Sequence, residues 1–201
     1  MHIMISRYAG AAGMTAEAAP KAQQGLVPLL RAQHGFLGYA VLGSEQGDIV
    51  SVSFWESATA AANSREKLRE WVMANLSGLS EPTERFIGDV GPHAMVAPQS
   101  DRPDQSLYCI VRKAEGLSDK ALQDEARNAM LAAAQKAPGF LGIYYVRSAE
   151  NPSQGVSVLL CDTREHAAAI HEETMEISKR QQPHVNVRVA ASGQTAVLAM
   201  A

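Results

Sequence analysis

The chain lacks the features that mark membrane, nucleic-acid-binding or disulfide-stapled proteins. No apolar stretch approaches the roughly 20 residues that span a bilayer, so no membrane partner is expected. No run of Lys or Arg interrupts the sequence, and the formal net charge is -3. A nucleic-acid surface needs a clustered positive field, so no nucleic-acid partner is expected either. Two cysteines, Cys109 and Cys161, are too few for a disulfide framework or a metal set. Both sit in strand-like segments, where core thiols are the ordinary reading, and no metal site is expected. The opening MHIMISRYAG lacks the charged start and apolar core of a secretory leader. The expectation is a cytoplasmic protein with reduced thiols. What is present is ordinary globular material: 46% of residues are hydrophobic, and the length suits one large domain or two small ones.

One six-letter phrase occurs almost twice, HGFLGY at 34–39 and PGFLGI at 138–143. Its surroundings match as well. MISRYAG (4–10) lies over CIVRKAE (109–115), which places Arg7 over Arg112, and GMTAEA (13–18) lies over GLSDKA (116–121). VSVSFWESATAAA (50–62) lies over VSVLLCDTREHAA (156–168), and VGPHAMVA (90–97) over SGQTAVLA (192–199). The blocks keep their order while the offset drifts only between 102 and 106, as small loop insertions would produce. The reading is one fold written twice: units at 1–97 and 106–201, with a linker at 98–105 inside the proline-bearing stretch APQSDRPDQ.

Each half has the same pattern of elements. Residues 2–8 and 106–112 alternate like strands. Thr15 and Ser118 suit helix N-caps. One helical stripe holds Ala18, Ala22, Leu26, Leu29 and Leu30; its counterpart holds Leu122, Ala126, Ala129, Met130 and Ala133. Pro28 predicts a kink or irregular turn in the first of these helices. Strands follow at 36–42 and 140–147, then a third pair in which Val50, Val52 and Phe54 share a face with the equivalents Val156, Val158 and Leu160. Second helices are expected over 57–76 and 163–181, and last strands over 84–97 and 184–199, with Gly91 and Gly193 marking a bend or bulge. The order β-α-β-β-α-β, twice, is the ferredoxin-like unit of the α+β class: an antiparallel sheet with two helices on one face. The helix-free apolar face must be covered. The expected architecture is therefore two tandem ferredoxin-like units whose antiparallel sheets pack face to face.

The run GFLGYAVLGSEQGDIVSVSFWESATAAANS and the helix ending EWVMANL resemble the antibiotic biosynthesis monooxygenase (ABM) family, clearly over 1–97 and more weakly over 106–201. There Cys161 replaces Trp55, and Asp162-Thr163 replaces Glu56-Ser57. The resemblance implies that a family dimer, the dimeric α+β barrel, is fused here into an intrachain pseudo-dimer. Whether that chain pairs again as a homodimer stays open. It further implies a cofactor-independent oxygenase acting on a small aromatic or quinol-like molecule. The heme-degrading branch fits poorly. Its pattern asks for Asn at the end of the first strand, Trp in the second helix and His near that helix's end; those positions hold Arg7, Ser64 and Ala74 or Asn75. No cofactor is expected.

Candidate site residues follow from these readings. Arg7 and Arg112, on strand faces with Ile5 and Ile110, could hold an anionic or phenolic oxygen; a structural ion pair is the plainer role. His93, in the last strand beside a Gly-Pro bend, could act as a base near neutral pH. Arg7 and His93 are the catalytic candidates. Tyr39, Trp55, Trp71, Arg112 and Tyr144 are the substrate-binding candidates, with core packing the plain alternative for the tryptophans. Trp55 shares its face with Ser51 and Ser53, a more polar face that could line a cavity. The competing function is a non-catalytic small-ligand-binding or stress-associated α+β barrel protein. Because the aromatic and polar residues of the halves have diverged, the first half is the better candidate for a working pocket.

Overall fold

A computed structural model of the chain describes residues 1–79, 81–96 and 107–201; the linker expected at 98–105 lies outside the described residues. The chain divides into two units, Met1–Asp89 with Thr195–Ala201, and Val90–Gln194. Among the described residues no helix is long and apolar enough to cross a membrane.

Unit 1 begins with β1 (His2–Tyr8). A helix follows in three parts: α1 (Thr15–Lys21), a π-turn (Ala22–Leu26) and α2 (Val27–Arg31). Then come β2 (Phe36–Gly43), β3 (Ile49–Trp55), α3 (Ala58–Asn75) and the first half of β4 (Glu84–Met95). The strand order is β4, β1, β3, β2, with Gly38–Leu42 of β2 also paired to the end of β8 (Asn186–Met200), and all pairings shown are antiparallel. This is an α+β fold of ferredoxin-like order.

The irregularity expected at Pro28 is present one turn earlier. Without an N–H, Pro28 cannot donate to the carbonyl four residues back, and its ring crowds that carbonyl. The π-turn widens the helix there. It also shifts the buried stripe to Ala18, Ala22, Leu26, Val27 and Leu30. Thr15 is the first residue of α1 rather than its cap, and its hydroxyl donates 2.7 Å to the Ala12 carbonyl.

Unit 2 repeats the element order with β5 (Tyr108–Glu115), α4 (Lys120–Ala134), β6 (Phe140–Ser148), β7 (Gln154–Cys161), α5 (Arg164–Gln181) and β8. Its strands run β8, β5, β7, β6, and the second half of β4 lies beside β6, where the Val96 N–H donates to Leu141. The α4 cap is Asp119, not Ser118: its carboxylate accepts from the N–H groups of Ala121 and Leu122. Ser57 and Thr163 cap α3 and α5 in matching fashion.

The repeated Gly-Phe-Leu-Gly now has a physical account. Gly35 and Gly139 have φ of +76° and +72°, the left-handed turn that ends a helix. A Cβ on Gly35 would also stand 2.8 Å from that of Ala60. Phe36 and Phe140 enter the helix-side cores. Each unit then shifts register between that Phe and Gly38 or Gly142.

Strand pairing overturns one expected equivalence. His2 pairs with Trp55 and Tyr108 with Cys161, while Ser57 and Thr163 cap the next helices. Trp55 thus corresponds to Cys161, and Arg112 corresponds to Ser6; Arg7 corresponds to Lys113. A slip of one residue moves a side chain to the opposite face. Ile110, two residues before Arg112, belongs to the helix-side core of unit 2, as Met4, two residues before Ser6, does in unit 1. Arg7 lies on the other face.

Arg7 is 41% exposed, and its Nε donates to Asp48, a carboxylate 5% exposed. Asp48 also accepts from the Gly10 N–H at 2.9 Å, and Glu84 lies 3.7 Å from Arg7. Burial pushes the Asp48 carboxyl up, but the hydrogen bonds from Arg7 and Gly10 outweigh it and hold it below its ordinary range. A depressed carboxyl contributes stability above its unfolded pKa, about 4, and loses it as pH falls through the folded value. Arg7→Ala should therefore cost about 1–3 kcal/mol at neutral pH. The difference from wild type should shrink below about pH 4. Urea unfolding at pH 7 and pH 3.5 checks both.

Candidate functional site

In unit 1 the helix side of the sheet does not close completely. Alternation along the strands aims Met4, Ser6 and Tyr8 of β1, Tyr39 of β2, and Ser51 and Ser53 of β3 beneath the helices. Leu26 of the π-turn and Leu68, Val72 and Met73 of α3 face them. Between these walls is a cleft of about 720 Å³, its mouth solvent included. A second, almost wholly apolar space of about 410 Å³ reaches Ala18, Ala22 and Ile49, and shares Tyr8, Tyr39, Ser51, Leu26 and Val72 with the first. These two spaces meet at a wall of two phenols and a serine.

The floor is made of hydroxyl groups. Tyr39 is 6% exposed and hydrogen-bonded to Ser51. Burial raises its pKa first, and the neighbouring Tyr8 phenol adds to that. Tyr8 is also raised by burial; Arg85 pulls it down and Glu81 pushes it up. Both phenols are therefore neutral donors at physiological pH. Ser53 is committed elsewhere: its Oγ accepts 3.0 Å from the Trp55 indole N–H.

The rim is cationic. Arg69 of α3 donates to Glu81, which also accepts 2.8 Å from Arg85 of β4. The Glu81 carboxyl is held below its ordinary range by the Arg69 hydrogen bond, with Arg85 adding to it against a smaller effect of burial. Two guanidinium groups share one carboxylate, and Arg65 is a third arginine on the same lining. The arrangement can take an aromatic body, donate hydrogen bonds to an oxygen that gains negative charge, and attract an anion at its mouth.

Of the residues expected from sequence, only Tyr39 lines this cleft. Trp55 is wholly buried against Phe36, edge-to-face with centroids 5.6 Å apart. Trp71 packs on the π-turn, where a Cβ on Gly25 would lie 2.8 Å from its ring. Arg7 engages Asp48. His93 falls in the unit 2 part of β4, is exposed, and stacks on Tyr144 with centroids 5.8 Å apart. The Tyr144 hydroxyl donates to the Met95 sulfur at 3.0 Å. Arg112 is buried beneath the helices of unit 2. Sequence reasoning missed Ser6, Tyr8, Arg69, Glu81 and Arg85. The alternation that put Ser51 and Ser53 on a polar face carries over to Ser6 and Tyr8 through the β1–β3 register. Glu81 and Arg85 left no local signal.

Residues 1–72 match the family model described as antibiotic biosynthesis monooxygenase. The ABM match thus covers β1 through most of α3, including the hydroxyl floor and Arg69. Solved structures share the fold over nearly the whole chain. A "putative monooxygenase" from Fusobacterium nucleatum superposes with a TM-score of 0.75 at 10% identity, over 99% of this chain and 94% of that one. Another, from Lactobacillus acidophilus, gives 0.69 at 12% identity over 99% and 95%. An anthrone oxidase-like protein gives 0.65 at 14% identity over 99% and 92%. At such identities the likeness speaks for the fold alone. No curated protein matches the chain. The ABM resemblance read from sequence is borne out over 1–72.

Buried hydroxyls of this kind should resist ionisation. In an alkaline absorbance titration, Tyr39→Phe should match wild type through the pH range near 10 where free tyrosines ionise. Loss of one titrating phenol in that range would mean that Tyr39 is hydrated.

Proposed function

We propose that the unit 1 cleft is the site of a cofactor-independent monooxygenase acting on a small aromatic or quinol-like substrate. The observation that carries this reading is the floor of neutral hydroxyl donors, set between apolar walls inside the segment that matches the ABM family. An electron-rich ring that can ionise reacts with O₂ directly, so the protein's task is to favour and enclose the anion. Arg69 and Arg85 attract the ionised form to the mouth. Tyr8 and Tyr39 donate to its oxygen, and donors in place before reaction stabilise charge most. For a ring methylene the balance is CH₂ + O₂ → C=O + H₂O: one oxygen atom enters the product, the other leaves as water, and the substrate supplies the electrons. The likeness to an anthrone oxidase-like protein makes anthrones and hydroquinones the first substrates to test.

The same proposal holds that the halves are tandem copies of one ancestral unit. The repeated Gly-Phe-Leu-Gly turn and the shared element order support it.

Oxygen uptake over a panel of anthrones and hydroquinones tests the activity. Tyr39→Phe and Tyr8→Phe should each lower kcat, by about 10²-fold where the hydroxyl serves the developing anion. Arg7→Ala should keep its activity per folded molecule. Tight binding without uptake would replace the oxygenase by the ligand-binding reading.

A further inference from the structure

Unit 2 has its own unfilled space beneath its helices, and its chemistry differs. About 440 Å³, mouth solvent included, is bounded by Arg112, Arg127, Tyr145, Ser157 and Gln182 and by apolar residues such as Met130 and Met175. Arg112 is 2% exposed. Its Nε donates 2.8 Å to Ser157 Oγ and its Nη1 donates 2.7 Å to Thr174 Oγ1. Its Nη2 is buried and has no partner, and neither has the buried Tyr145 hydroxyl. That phenol lies beside the guanidinium, but the two do not meet in hydrogen-bond geometry.

Among the described residues no carboxylate pairs with Arg112. The neighbouring groups that act on it are Tyr145 and Cys161. Guanidinium groups stay protonated in proteins, so a full positive charge is buried on hydroxyl partners alone. Buried charges are normally paired. The chain does so elsewhere: Arg7, one residue out of register with Arg112, has Asp48. The other arginine on this cavity, Arg127, is 7% exposed and reaches Asp124 only at 3.5 Å.

Helix α4 departs from its apolar pattern at the same place. Leu122, the apolar residue expected inward, is 63% exposed, while Gln123 and Arg127 are buried. Both ends of the Gln123 amide lack partners. Local disagreement between sequence pattern and fold is commonest at functional sites.

We infer that unit 2 binds a small monoanionic amphiphile, a carboxylate on an apolar body, with its charged end on Arg112 and the Tyr145 hydroxyl. Arg112 Nη2 supplies two hydrogens and Tyr145 one. A planar carboxylate accepts such a set in fork geometry, and the methionine-lined wall takes the rest. The site is separate from the unit 1 cleft and holds whether or not that cleft oxidises anything.

Benzoate, its neutral isostere benzamide, and inorganic phosphate are the probes, used on the full chain with calorimetry and thermal unfolding. Benzoate should bind and raise Tm, while benzamide and phosphate should not. Tyr145→Phe, which leaves packing nearly unchanged, should weaken benzoate about tenfold or more. Arg112→Met should abolish binding. It should also leave the unliganded Tm unchanged or higher, because a buried charge without a counter-ion is replaced by an apolar chain. Arg7→Ala, at a residue that lines neither space, should bind benzoate as wild type does. Equal shifts with benzoate and benzamide, or none with either, would overturn the inference. So would phosphate binding alone, or a benzoate affinity that Tyr145→Phe does not change.

Discussion

Which side chains reach the space under the helices is decided by the register of β1 on β3 and of β5 on β7. Successive strand residues point to opposite faces. Once His2 is set opposite Trp55, and Tyr108 opposite Cys161, every residue of the first strands is assigned a side. Ser6 and Arg112 go under the helices; Arg7 and Lys113 go to the other face. The energetic consequences are large. An arginine on the helix side is surrounded by protein and meets hydroxyls, whereas Arg7 stays partly in water and finds a carboxylate. Burying an ion without a counter-ion costs several kcal/mol even after relaxation, so the register places a large local cost at Arg112.

That constraint also explains what could be read from the sequence. Elements whose signal is local were legible. The left-handed glycines at 35 and 139 and the phenylalanines after them each act within a few residues of themselves, whereas the caps expected at Thr15 and Ser118 fall one residue away, at Met14 and Asp119. The irregular helix was legible from Pro28, though the deformation sits one turn earlier. The polar face of Ser51 and Ser53 was visible because alternation alone fixes it. What failed was relational. Overlaying MISRYAG on CIVRKAE matched two arginines by letter, and pairing shows that they occupy opposite faces. Leu122 looked like a core residue because periodicity cannot tell a face of apolar residues from a face that includes Gln123 and Arg127. Glu81 and Arg85 come from a loop and a distant strand, and only the fold brings them to Arg69.

Two strand positions set the polarity of the two helix-covered spaces apart. Ser51 and Ser157 are equivalent, each four residues along β3 or β7 from the first pair. The strand neighbour of each differs: Ser6 in unit 1, Arg112 in unit 2. The tyrosine also moves. With Gly38 matched to Gly142, Tyr39 corresponds to Ile143 and Val41 to Tyr145, so the phenol has shifted by two residues on the same face. In unit 1 it sits between a polar cleft and an apolar chamber. In unit 2 it stands beside the guanidinium.

These shifts set what each space can do. Neutral phenols in unit 1 hold no charge of their own, and the arginines there stay at the rim, where Glu81 and water moderate them. Such a floor is at low cost when empty and gains strength as negative charge develops on a bound oxygen, which suits a reacting ligand. In unit 2 the charge is already inside. A permanent guanidinium in the pocket favours an anion in its ground state as much as along any reaction, and uniform attraction of that kind increases occupancy without lowering a barrier. The position that holds Ser6 in unit 1 thus carries a guanidinium in unit 2, while Arg7 and Lys113 keep a cation on the other face of each sheet, and that one added charge beneath the helices sets the chemistry of the two spaces apart.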